Sequence, residues 1–198
     1  MRRFSLIVAV FVTVMISTLP LSAQEGAEAR KAVDKEAKKA EKTELKVIEI
    51  EPFSYAAVEM TGSYEKHGDA FMKLYSAVGM QGLPMTEAPF GIYWNSPDDT
   101  AEEELKWEIG MPVPGDKELA APIVLKKWEW TTVIQKDFDG VIDGDEIKAA
   151  HSGMYEWVEA NGYEIAGPML ERFLNSPSAN DKGEMNGKVQ IVFPVKKK

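Results

Sequence analysis

Three short patterns in this chain occur twice, in the same order and at nearly one offset. Trp94-Asn95-Ser96-Pro97 returns 80 residues on as Leu174-Asn175-Ser176-Pro177. Ile109-Gly110-Met111-Pro112-Val113 returns after 82 as Ile191-Val192-Phe193-Pro194-Val195, and Tyr75-x-x-Val78-x-x-x-Gly82 after 80 as Tyr155-x-x-Val158-x-x-x-Gly162. The recurrence predicts two structural repeats of about 75 residues, spanning 45–113 and 123–195. A solenoid needs three or more short repeats to bury its core. Two long repeats form one pseudo-twofold domain instead, and the seam between them is a natural place for a ligand cleft.

The chain's 198 residues suit one such domain with appendages. Arg2-Arg3, the apolar run Leu6 to Ile16 and the small residues Ser22-Ala23 follow the order of a secretory signal, so residues 1–23 are expected to be removed. The predicted location is the periplasm, with no membrane insertion after cleavage. The alternative is an N-terminal membrane anchor, because Phe4 to Ala23 is long enough to span a bilayer if Pro20 is tolerated. Residues 24–44 are mostly Ala, Glu and Lys and read as a charged spacer. Residues 45–198 form the domain.

The chain has no cysteine, which excludes disulfides, thiol catalysis and cysteine-bound zinc. Without Arg2 and Arg3, 21 of the 23 basic residues face 32 acidic ones, a net of −11. Such a surface repels phosphate backbones, so no nucleic-acid partner is expected.

Each repeat reads as β-α-β-β. In the first, Val47–Glu51 and Tyr55–Met60 lean to strand, Phe71, Leu74, Tyr75 and Val78 fall at helical spacing, and Phe90–Trp94 and Leu105–Val113 close the unit. In the second, Ile123–Gln135 is the opening strand and Asp137-Phe138-Asp139-Gly140 its turn. Ile147 to Val158 is the helix, capped by Asn161-Gly162, and Pro168–Leu174 and Val189–Val195 are the closing strands. The fold class is therefore α+β: two pseudo-symmetric repeats, curved antiparallel sheets with two helices on one side, and a central ligand cleft on the other face.

Five segments in order carry a resemblance. They are Val58-x-x-x-Gly62-Ser63-Tyr64, Gly91-Ile92-Tyr93-Trp94-Asn95-Ser96-Pro97, Trp107-Glu108-Ile109-Gly110-Met111-Pro112-Val113, Asn161-Gly162-Tyr163 leading to Gly167-Pro168-x-x-Glu171-x-Phe173-Leu174, and Ile191-x-Phe193-Pro194-Val195. From Leu45 to Val195 the chain resembles the GyrI-like small-molecule-binding domain, also found as the effector-binding domain of AraC-type and multidrug-sensing regulators. The resemblance implies a cleft for hydrophobic, often cationic molecules, with an acidic residue inside it and a tyrosine two positions on. Glu171 matches that acid, while Phe173 stands in the tyrosine's place. The Thr-Glu-Ile common in the closing strand is here Val189-Gln190-Ile191, whereas the first repeat keeps Glu108.

Glu171 is the first candidate on the residues themselves, a carboxylate among Met169, Leu170, Phe173 and Leu174. Alternation puts Glu171 and Phe173 on one strand face, and the repeat maps Gly91 and Tyr93 onto it. An aromatic cleft with a carboxylate at its base attracts cations. Tyr93, Phe173, Trp107, Glu108 and Trp130 complete the candidate ligand-binding set, with Trp107, Trp128 and Trp130 equally suited to groove or core. His67 and His151 lie in the two helices without metal-ligand spacing and read as exposed, so no metal or cofactor is expected. The run Asp137 to Asp145 lacks the spacing of a calcium loop. The leading reading is a binding module for a small hydrophobic or cationic molecule. One alternative is a hydrolase of strained cyclopropane-type electrophiles with Glu171 as general base. A porphyrin carrier is the third.

Overall fold

The computed structural model describes Leu45–Lys198; the expected signal and spacer lie outside the described residues. In chain order the strands are β1 (Val47–Glu49), β2 (Phe53–Thr61), β3 (Phe90–Tyr93), β4 (Lys106–Pro112), β5 (Val124–Trp128), β6 (Thr132–Val141), β7 (Tyr163–Ile165), β8 (Met169–Phe173), β9 (Ser178–Ala179) and β10 (Met185–Lys197). Helix α1 (His67–Met80) joins β2 to β3, and α2 (Asp145–Ala160) joins β6 to β7. The strands form one large curved, unclosed antiparallel sheet in the order β1-β6-β10-β8-β3-β4-β2-β5, with β7 and β9 also pairing with β10.

That order is a palindrome of roles. β2-α1-β3-β4 answers β6-α2-β8-β10, and the halves join where β3 pairs with β8. The two Asn-Ser-Pro turns do the same work in each half. Asn95 Oδ1 accepts the Lys106 N–H at 2.9 Å, and Asn175 Oδ1 accepts the Lys188 N–H at 2.6 Å. An asparagine that bonds backbone across a turn fixes where the next strand begins.

Both helices bury one apolar stripe. α1 turns Ala70, Leu74, Ala77 and Val78 inward, and α2 turns Ile147, Ala150, Met154 and Val158. α1 ends in a Schellman motif: Gly82 takes φ +63°, its N–H reaches the Gly79 carbonyl, and the Leu83 N–H reaches Val78 at 3.0 Å. Gly162, at φ +74°, ends α2 with its N–H on the Glu159 carbonyl at 3.2 Å. Met169 packs against both helix-side clusters, so the two helices share one face of the sheet.

Three expectations need correction. The stretch from Ile123 to Gln135 is two strands, and these go to opposite parts of the sheet: β5 pairs with β2, while β6 lies between β1 and β10. The break falls at Trp130, whose indole N–H reaches back to the Ala166 carbonyl at 3.0 Å across Gly167, where a Cβ would collide with the ring. Asp137-Phe138-Asp139-Gly140 continues β6, because β10 supplies partners for both aspartates: Gln190 donates to Asp137 at 3.1 Å and Lys188 meets Asp139 at 3.0 Å. The cleft opens on the helix face and not on the helix-free one. The helix-free face is filled by its own aromatics, with Phe53 on Trp128 at 6.2 Å and Tyr55 edge-on to Phe90 at 5.2 Å.

Candidate functional site

The cleft opens on the helix face, between α1 and the β8–β9 segment, with a volume of about 820 Å³. Helical period builds its wall. His67, Phe71 and Tyr75 stand four apart on α1, one step round from the core stripe, and all three line the cavity. Phe173 completes the aromatic wall, edge-on to Phe71 at 5.3 Å.

At the floor lies the join of the halves. In the β3–β8 register Gly91 faces Glu171, and Tyr93 faces Met169. Gly91 leaves a gap across from the carboxylate, and Tyr93 folds back into it: a Cβ at Gly91 would lie 2.5 Å from the Tyr93 hydroxyl. That hydroxyl is 2.9 Å from His67 Nε2, and it lies near enough to Glu171 for the carboxylate to oppose its ionisation. His67 Nδ1 meets the Tyr64 carbonyl, which only accepts, so that nitrogen carries a proton. The ring lies on Trp107, 4.4 Å between centroids. From the other helix, His151 Nε2 meets Glu171 Oε1 at 2.8 Å.

Burial and the Glu171 carboxylate shape the titration of these neighbours. Tyr64 is pushed up to about 12 by burial and then by Glu171. Tyr93 rises well above the usual phenol range for the same two reasons, so both phenols stay protonated at neutral pH. His67 moves down, because burial outweighs the Tyr64 carbonyl and Glu171. Glu171 itself is 9% exposed, and among the described residues no lysine or arginine pairs with it. Its sequence neighbour Arg172 points to the other face, over Phe53 and onto Gln190 Oε1 at 3.0 Å.

Of the candidates named from sequence, the structure brings Glu171, Phe173 and Tyr93 together in the cleft lining. Trp107 shares their face but lies beneath His67, 1% exposed, with its indole N–H on the Gly62 carbonyl at 2.9 Å. Glu108 and Trp130 lie on the opposite face. Glu108 accepts from Tyr55 at 2.7 Å and from Lys126 at 2.5 Å, and Trp130 packs against Trp128 and Trp94. Sequence reasoning missed Phe71, Tyr75 and both histidines. Neither histidine is an exposed helix residue: His67 lines the cleft and meets Tyr93, and His151, outside the lining, reaches Glu171 from behind. The signal for α1 was present: His67, Phe71 and Tyr75 repeat every four residues beside the aliphatic stripe. Among the described residues, no group of three His, Asp or Glu side chains is placed to hold a metal ion.

A curved sheet folded into two matching halves, with one aromatic cleft at the join, defines a small-molecule-binding domain of the effector-binding kind. The chain belongs to the GyrI-like small molecule binding domain family, whose pattern matches residues 43–196. No curated protein matches it in sequence. Among solved structures it is similar to the EcmrR C-terminal domain, with a TM-score of 0.64 and 19% identity over 78% of this chain and 98% of that one. Against EcmrR in its DNA-bound transcription complex the TM-score is 0.61, at 17% identity, covering 88% of this chain and 67% of that one. A hydrolase from Listeria innocua gives a TM-score of 0.57 and 14% identity, covering 82% and 98%. At such identities the likeness is one of fold.

Proposed function

We propose that the cleft binds a small lipophilic cation, with Glu171 as its counter-charge and Phe71, Tyr75 and Phe173 as its walls. One observation carries this reading: a buried carboxylate at the base of an aromatic cavity has no lysine or arginine partner among the described residues. Ionised carboxylates in such surroundings are costly unless paired, and a bound cation supplies the pair. Aromatic walls add cation–π attraction of about 0.5–2 kcal/mol each. Replacing Glu171 by Gln keeps the shape and removes the charge. We expect binding of a permanent lipophilic cation to weaken by about 1–3 kcal/mol, the range for losing a charge-assisted contact. A neutral aromatic of similar size should bind the variant as it binds the wild type. Equal loss for both ligands would show that Glu171 supports the cavity's shape rather than the ligand's charge.

A second reading is favoured by the Tyr93 hydroxyl. It stands beside Glu171 and offers the acid that Phe173 cannot, so Glu171 could activate water against a strained electrophile while Tyr93 holds the developing anion. The hydrolase of similar fold suits this reading. Turnover of a cyclopropane-bearing electrophile, lost with Glu171→Gln, would establish it; no turnover over the uncatalysed rate would end it.

A further inference from the structure

Four ionisable side chains from four elements cluster at the base of the cleft: His67 of α1, Tyr93 of β3 and Glu171 of β8 line it, and His151 of α2 meets Glu171 from outside the lining. The two histidines are placed differently. Both ring nitrogens of His67 are engaged, by the Tyr64 carbonyl and the Tyr93 hydroxyl. His151 uses only Nε2, on Glu171, and no partner meets its Nδ1 among the described residues. Its side chain keeps 22% of its surface in water, so Nδ1 can take up a proton while the Glu171 contact stands. An imidazolium there sits against the same carboxylate that a ligand's positive charge requires. Two cations on one buried carboxylate repel.

We propose that His151 is the specificity-determining residue of the cleft: protonated, it fills the cation seat beside Glu171, and deprotonated, it yields that seat, so that uptake of a lipophilic cation expels a proton. This rests on the cation reading of the cleft and adds to it a competitor built into the fold. Lipophilic cations are then held at neutral pH and let go in acid, while neutral aromatics bind alike in both.

Other groups around His151 do not duplicate that role. β10 presents Phe193, 6.5 Å ring to ring, with Val189 and Ile191 on the same face. On β6, alternation sets Lys136 on this side with Phe138. Glu164 of β7 is held by Lys196 at 3.0 Å. On α2 itself Lys148 lies 3.8 Å from Asp145, and Tyr155, kept protonated by burial and then by Asp98 and Asp99, stays neutral. Across the cleft, Tyr64 and Tyr93 stay protonated, and burial keeps His67 neutral to lower pH than a free histidine.

The test uses two probes, the permanent cation ethidium and the neutral N-phenyl-1-naphthylamine, titrated between about pH 5 and 8, the span in which histidine ordinarily changes charge. Expulsion of one proton makes ethidium affinity fall about tenfold per pH unit once His151 is protonated. Calorimetry in two buffers of different ionisation enthalpy should count close to one proton released per ethidium in acid. In His151→Gln, ethidium affinity should be flat with pH and near the wild type's upper plateau, and no proton should be counted. The neutral probe should be insensitive to pH in both, which also reports that the variant is folded. Ethidium binding to wild type with no proton released would overturn the proposal whatever the variant does. A pH slope that survives His151→Gln and disappears in His67→Gln would overturn it by giving the proton to the other helix. Binding of the neutral probe without any ethidium binding would instead overturn the cation reading itself.

Discussion

Replacing Lys126 by Met is expected to cost about 3–5 kcal/mol of stability, the range for removing one partner of a buried ion pair. Glu108 is 1% exposed, and its two oxygens are held by Tyr55 at 2.7 Å and Lys126 at 2.5 Å. Without the ammonium, a charge stays buried with one phenol for company. Lys126 itself keeps 27% of its side chain in water, so the loss should fall toward the lower end. Its second partner, Glu59 at 2.6 Å, is exposed and adds little. Burial opposes the charge on Lys126, but Glu108 and Glu59 outweigh it and raise its pKa. A base whose pKa rises on folding stabilises fully below the ordinary lysine range and loses that contribution as pH climbs through the raised value. The comparison is therefore clean at neutral pH. Urea denaturation of wild type, Lys126→Met and the Glu108→Gln, Lys126→Met double variant decides the matter. The double variant should recover most of the loss, because nothing charged then remains buried. A single variant as stable as wild type would mean that Glu108 meets water, against its placement here.

Replacing Trp107 by Ala should cost about 3–5 kcal/mol, the range for truncating a buried aromatic. The ring is among the largest fully buried side chains, and it contacts both Tyr64 and His67. Its indole N–H also ties β4 to Gly62, whose φ of +90° turns the chain from β2 into α1. Trp107→Phe separates the two contributions: it keeps a ring and loses the hydrogen bond, worth about 1 kcal/mol. Circular dichroism at the helix band is the suitable signal, since four other tryptophans would confuse fluorescence. A loss below about 1 kcal/mol for Trp107→Ala would return this residue to the ligand-facing role that its place in the sequence also allowed.

The frame was legible because its signals are local. Asn95-Ser96-Pro97 and Asn175-Ser176-Pro177 mark equivalent turns, Gly82 and Gly162 mark helix ends, and alternation in β8 put Glu171 with Phe173. Contacts that join distant segments left no local trace. Lys126 is 18 residues from Glu108 and His151 20 from Glu171, and neither spacing belongs to a helix or a hairpin. The choice of cleft face was lost for a related reason. Both faces of the central strands are apolar, since Phe90, Ile92 and Leu170 lie on one side and Tyr93, Met169 and Phe173 on the other. Trp128 of β5 packs with the first set, while the cleft opens beside the second. Trp130 misled in the same way, because its neighbour Gly167, 37 residues on, is what lets it leave the strand.

The pairing of Gly91 with Glu171 has a bearing on stoichiometry. The two stand 80 apart in the sequence, the spacing of the recurring patterns, and they face each other across the β3–β8 join. If the two halves are repeats, their dyad passes between this pair, and a point on a dyad has no second copy. A carboxylate in both places would set two like charges opposite each other in a buried site, and the Tyr93 phenol already fills the space that any side chain at Gly91 would need. The join thus carries one carboxylate, and on the proposed reading of the cleft one chain is suited to hold one ion.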